Sequence, residues 1–196
     1  MMYNLNVSTI ILNRTNSGII GASLFVPAPA RHLYEAVLDV RSFPSWAPGV
    51  RRVEITEGPV GPGMVSEWEV SVLGIRRRIS SVLVKAEDLS FLRWTYDGLV
   101  SGWGECAIED WGNGTLAEFR TELQLTESCL EKLMRTLPFR NAARSHLKRC
   151  LVQLGQVVSG NRDGVRVGPL EISHQPSAVS RQLLCEQRMP AARDGA

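Results

Sequence analysis

After Gly49 the chain alternates apolar and polar positions for about seventy-five residues, a two-residue period that belongs to half-buried strands. The alternation breaks at turn residues: Gly58-Pro59, Gly61-Pro62-Gly63, Leu73-Gly74, Glu87-Asp88, Asp97-Gly98 and Gly112-Asn113-Gly114. This predicts six antiparallel strands, over roughly 50–57, 64–73, 75–86, 90–97, 100–111 and 115–126. Another strand, within 17–26, precedes them and ends at Pro27-Ala28-Pro29. Leu33, Tyr34, Val37 and Leu38 then recur at helical spacing, with Pro29 just before the first turn, which predicts a short helix from Ala30 to Val40. The longest helical pattern runs through Phe139, Ala143, His146, Leu147, Cys150, Leu151, Leu154, Val157 and Val158, between Pro138 and Gly160. Leu130, Leu133, Met134 and Leu137 predict a helical lead-in to it.

Pairing across the Leu73-Gly74 turn sets Glu69 opposite Arg78 and Trp68 opposite Ile79. Trp68, Val70, Val72, Ile75 and Ile79 then face inward, and Glu67, Glu69, Arg76 and Arg78 face water. Arg77 departs from this sorting and falls on the inner face. A turn at Gly112-Asn113 pairs Cys106 with Phe119 and Glu105 with Arg120, leaving Cys106, Ile108, Ala117, Phe119 and Thr121 on one face. Between the first helix and these strands, DVRSFPSWAPGVRRVEI (39–55) holds two prolines that forbid a continuing helix, so Phe43 and Trp46 are expected in a proline-broken loop at the mouth of the domain. Residues 1–16 form an N-terminal extension. From 161 to 196 the periodicity disappears among Gly, Pro, Ser, Gln and Arg, predicting a disordered tail that adds little to stability, with Val179 to Cys185 its one weak helical run.

The inventory is therefore α+β: a strand, a short helix, an aromatic connection, six more strands and a long helix over 17–160. A curved seven-stranded antiparallel sheet wrapped around the C-terminal helix buries both apolar surfaces, a helix-grip arrangement. The phrase carried by Val26, Pro27, Ala28, Pro29, Asp39, Phe43, Pro44, Trp46, Pro48, Gly49 and Val50, with the strands and terminal helix after it, resembles the SRPBCC or START-like superfamily, in its polyketide cyclase/dehydrase and coenzyme Q-binding branch. The resemblance covers about residues 18–160 of the chain. It implies a cavity between sheet and helix that accepts a hydrophobic small molecule, a lipid or a polyketide. Three functions follow from it: binding of such a ligand, polyketide cyclase/dehydrase-type catalysis in the same cavity, or a non-catalytic protein-interaction module.

Composition narrows the partners. A hydrophobic share of 44% with 21% charged residues is that of an ordinary globular chain, and a net charge of +2 is too small to imply nucleic acid as a partner. Four cysteines without a CxxC pair, and no basic then apolar leader, point to a cytoplasmic protein with reduced thiols. No stretch approaches the roughly eighteen apolar residues of a membrane span. Arg135, Arg140, Arg144, Lys148 and Arg149 make the last helix basic on its polar side, which is either a solvated face or one for transient contact with a membrane surface. Oligomeric state is not encoded in any of these patterns.

Five tryptophans are many for this length and stand in or beside the strands, where aromatic walls suit a ligand pocket as well as a core. Trp46, Trp68, Trp94, Tyr96, Cys106 and Phe119 are the candidate ligand contacts, and Trp111, at a turn, the weakest of the tryptophans. Arg77, Tyr96, Glu105 and Thr121 are the residues able to supply acid–base or polar help to a cyclase; Glu105 also reads as a cross-strand partner of Arg120, and Arg77 as a rim residue. His146 and Cys150 share a helix face at i and i+4, but with no further pair they read as packed side chains and not as metal ligands. No nucleophilic triad and no phosphate-cradling glycine loop is present, and no cofactor is implied.

Overall fold

In the computed structural model the described residues are 19–72, 75–98, 100–125, 137–160 and 165–169. The lead-in to the long helix, the N-terminal extension and the Val179 to Cys185 run lie outside them. One antiparallel sheet contains β1 (Ile19–Val26), β2 (Val50–Glu57), β3 (Val65–Val72), β4 (Ile75–Glu87), β5 (Phe91–Gly98), β6 (Val100–Asp110), β7 (Thr115–Leu125) and β8 (Arg166–Pro169). Its order is β2-β3-β4-β5-β6-β7-β1-β8, so a meander from β2 to β7 is extended by the first strand and then by the last. The expected registers hold: Trp68 faces Ile79, Glu69 faces Arg78, Cys106 faces Phe119 and Glu105 faces Arg120.

The sheet has eight strands where seven were expected. The eighth comes from the segment expected to be a tail, with Leu24 paired to Val167 and Phe25 to Arg166. Four residues are too short for an alternating pattern to stand out, and β8 exists because β1 would otherwise expose a free edge. Val165 and Val167 pack against the core beside it.

Helix α1 (Ala30–Leu38) buries Leu33, Tyr34 and Val37. A 3-10 turn follows at Val40–Ser42, with the Asp39 side chain accepting from the Arg41 N–H. The proline-broken loop is in fact a second helix, α2 (Phe43–Trp46). Pro44 sits in its first turn, where a missing N–H removes no helical hydrogen bond, so the first of the two prolines starts a helix as well as ending one. Trp46 is 4% exposed and Phe43 lies 4.1 Å from its ring and 4.7 Å, edge-on, from Trp68. The aromatic connection therefore packs onto β3 and does not hang at a mouth. Gly49 then turns the chain into β2 at φ 93°, where its carbonyl accepts from Ser71 on β3.

Helix α3 (Leu137–Ser159) packs on β1 and β8 and on α1 and α2. Leu151 and Leu154 are its buried anchors. Gly155 lets the helix come close: a Cβ there would collide with Val165 and reach 3.3 Å from Leu24.

Candidate ligand-binding face

The inner face of the sheet carries Met64, Ser66, Trp68 and Val70 before and on β3, Ile79, Ser81 and Leu83 on β4, Leu92, Trp94 and Tyr96 on β5, Cys106 and Ile108 on β6, Ala117, Phe119 and Thr121 on β7, and Ala22, Leu24 and Val26 on β1. Burial is graded along every strand. Toward the β4–β5 and β6–β7 turns Leu24, Met64, Leu92, Cys106 and Ala117 are sealed, whereas toward the β3–β4 and β5–β6 turns Val70, Ile79, Trp94, Tyr96 and Thr121 are only half-buried. A closed core thus passes into a less covered aromatic wall.

That wall is shaped by glycine. Gly104 and Gly102 on β6 stand opposite Trp94 and Tyr96. The indole of Trp94 lies over Gly104, where a Cβ would come within 2.5 Å of Nε1 and 2.6 Å of Cε2. Trp94 Nε1 donates to Tyr96 Oη, and Thr121 Oγ1, on the neighbouring part of the wall, donates to the Trp103 carbonyl at 2.9 Å. Burial pushes the Tyr96 hydroxyl above its ordinary range, while Trp94 and Thr121 pull the other way. Two further indoles also give their N–H to a hydroxyl, which there goes on to a backbone carbonyl. Trp68 Nε1 donates to Ser66 Oγ at 2.8 Å, which donates to the Ser81 carbonyl at 3.4 Å. Trp46 Nε1 donates to Ser42 Oγ at 3.2 Å, which donates to the Asp39 carbonyl at 2.8 Å.

Of the expected site residues, the structure brings Trp94, Tyr96, Thr121, Cys106 and Phe119 onto one continuous wall, with Trp68 two strands away and Trp46 behind Phe43. Cys106 is fully buried and its thiol is pushed well above the ordinary range by that burial. Arg77 pairs with Val70 at the edge of the inner face and its Nη1 donates to the Arg76 carbonyl at 3.0 Å. Glu105 is on the other side of the sheet. It sits 3.7 Å from Arg120, which also bonds Glu118, and burial raises its carboxyl while Arg120 and Arg93 oppose that shift. Arg93 in turn lies 5.0 Å over the Trp103 ring, whose Nε1 donates to Glu122. Alternation alone separates Glu105 from Tyr96 and Thr121. Trp111 is exposed at the β6–β7 turn. Ser66, Ser81 and Gly104 were not singled out in the sequence, although the Trp68 register already placed Ser66 two residues away on the same face.

Among the described residues no group of three His, Cys, Asp or Glu is placed to hold a metal. His146 Nε2 and Cys150 Sγ lie 3.6 Å apart, and burial raises the thiol to about 11. A groove lined by Arg52, Glu54, Glu67, Trp68, Glu69 and Arg78 is largely charged and lies along the outward side chains of β2–β4, with Arg52 paired to Glu54. No described helix is long and apolar enough to cross a membrane.

A single large antiparallel sheet gripping a C-terminal helix defines the START-like class, and the comparisons with known proteins agree. The profile of the family described as "Polyketide cyclase / dehydrase and lipid transport" matches residues 20–159, and the chain belongs to that family. Solved structures share the fold. The protein TTHA0849 from Thermus thermophilus is 20% identical, with a TM-score of 0.60 over 71% of this chain and 96% of that one. The di-domain ARO/CYC StfQ from the steffimycin biosynthetic pathway is 18% identical, with a TM-score of 0.59 over 75% of this chain and 52% of that one. A START superfamily protein from Mycobacterium smegmatis is 14% identical, with a TM-score of 0.55 over 68% and 93%. A comparison with curated proteins finds no match.

Proposed function

We propose that this protein binds a hydrophobic or amphipathic small molecule, a lipid or a polyketide, between the inner face of the sheet and α3. The observation that carries this reading is the gradient of burial along the inner face. A filled core would seal all of its large apolar residues, yet Trp94, Tyr96 and Ile79 stay half-buried on this face. The described contacts of α3 are with β1, β8, α1 and α2, and the ligand is proposed to lie over the β4–β6 part of the wall.

Cyclisation of a polyketide in the same place is the second reading, supported by the family description and by the fold shared with a di-domain ARO/CYC protein. The described side chains favour binding. Glu105 is on the outer face, and among the described residues no acid–base pair converges on the wall. The cysteine pattern and the weak net charge are consistent with cargo collected in the cytoplasm.

Native mass spectrometry of the full chain, with solvent extraction of the purified protein, tests the reading. The expected result is a retained hydrophobic molecule, or saturable uptake of one by the emptied protein that quenches indole fluorescence. No retained molecule together with no uptake of fatty acids or aromatic probes would overturn it.

A further inference from the structure

Three polar side chains are buried among the described residues: Ser66, Ser81 and Thr115. Two of them are paired. Thr115 Oγ1 donates to the Ala28 carbonyl at 2.6 Å, and Ser66 Oγ stands between the Trp68 indole and the Ser81 carbonyl. The Ser81 hydroxyl has no hydrogen-bond partner among the described residues, since Ser66 engages only its backbone oxygen. Every wholly sealed side-chain nitrogen or oxygen among them does have a partner, so Ser81 Oγ touches open space although the residue is only 4% exposed. A buried hydroxyl left in this state destabilises the fold until something arrives to pair it.

The neighbouring strands account for the opening. Ser81 lies on the inner face of β4, opposite Ser66 of β3 and Tyr96 of β5. Trp68 is tied to its own strand by the bond to Ser66. Trp94 lies over Gly104 of β6, and Tyr96 Oη is bonded to the indole nitrogen found there, so both of these side chains are directed away from β4. The Ser81 hydroxyl is left uncovered between them. Along β4 it stands between Leu83, which is sealed, and Ile79, which is half-buried, where the closed core passes into the open wall.

Resting on the binding reading above, we propose that Ser81 is the polar anchor of the ligand site, hydrogen bonding an oxygen carried on an otherwise apolar ligand. A serine hydroxyl offers one proton, two lone pairs and no charge, which suits a neutral oxygen, either a hydroxyl or a carbonyl. A hydrocarbon of the same shape leaves Ser81 Oγ unpaired. Ser81 therefore sets the class of ligand as an oxygenated apolar molecule, with the oxygen placed at the inner face of β4 and the apolar body against Ile79, Trp94 and Tyr96.

Calorimetric titration of the full chain and of its Ser81→Ala variant with 2-naphthol, 2-acetylnaphthalene and 2-ethylnaphthalene tests this. The variant keeps the backbone carbonyl that Ser66 engages. It is expected to bind 2-naphthol and 2-acetylnaphthalene on the order of 10-fold more weakly than the parent, and 2-ethylnaphthalene at least as tightly. Unchanged affinity for the two oxygenated probes, or an equal loss for the hydrocarbon, would overturn the anchor and leave ligand binding standing. If the parent binds none of the three probes, the anchor falls; if it also retains no lipid, the binding reading falls with it. Stability supplies a second measurement that a structural serine would move the other way. Without ligand, the urea midpoint of Ser81→Ala is expected at or above the parent's, because the fold loses no hydrogen bond, and a clear fall would overturn the assignment.

Discussion

At the scale of single residues, a recurrent device closes the three inner indoles: each N–H is taken by a hydroxyl two or four residues away, and for Trp46 and Trp68 that hydroxyl goes on to a backbone carbonyl. It satisfies the polar edge of each ring within the strand or turn that carries it, so large aromatic surfaces can line the inside without orphaned donors. Trp94 depends on one more residue. Gly104→Ala puts a methyl group into its indole and is expected to destabilise the fold by about 1–3 kcal/mol, with a changed near-ultraviolet circular dichroism as the ring leaves Tyr96. A denaturation midpoint unchanged from the parent contradicts the placement of the ring. Tyr96 gives a pH test. Its hydroxyl is raised in the folded state, so the folded chain holds that proton more tightly than the unfolded one. Its contribution is complete below the ordinary tyrosine range near 10 and is lost as pH rises through the folded value. Urea midpoints measured from pH 8 to 11 should therefore fall less steeply for Tyr96→Phe than for the parent. The sequence pattern foretold which face these side chains share, because parity and turn position fix that. It did not foretell that Trp94 lies over Gly104 or that its N–H is taken by Tyr96, since those are matters of rotamer and cross-strand reach.

Among the elements, the long ones were legible and the short ones were not. Strands β2 to β7 and α3 repeat their period often enough to be read, and the hairpin turns fixed their registers. One-turn α2 and four-residue β8 are shorter than any period, and each exists through what it packs against. Phe43 of α2 fits between Trp46 and Trp68, and β8 covers the β1 edge next to Gly155. A chain ending after Gly160 is consequently expected to lose stability, against the expectation of a dispensable tail. A fall in the thermal midpoint of about 5 °C or more is anticipated for that truncation. Gly155→Ala should move it in the same direction, because its methyl group drives Val165 and β8 away from the helix. Equal midpoints for the truncated and full chains would show that β8 adds nothing to the sheet.

For the whole molecule, the gradient of burial divides one continuous inner face into a part that maintains the fold and a part open to a ligand, and the two can be separated by overfilling each in turn. Ala117 is fully buried at the sealed end, between Leu24 and Ile108 across the strands. Ile79 is half-buried toward the other end, two residues from Ser81 on the same face. A phenylalanine in place of Ala117 has no free volume to enter, and must displace close-packed neighbours at a cost of at least roughly 1–3 kcal/mol. The same ring in place of Ile79 can extend into the space ascribed to the ligand. Ala117→Phe is thus expected to lower the thermal midpoint or to abolish folding, whereas Ile79→Phe should keep a midpoint close to the parent's and lose ligand uptake. Ligand itself supplies the second measurement. At 100 times its dissociation constant it should add about 2.7 kcal/mol to the parent's stability and nothing to that of Ile79→Phe. If Ile79→Phe is as damaging as Ala117→Phe, the inner face is packed from end to end and the half-buried aromatic wall belongs to the core.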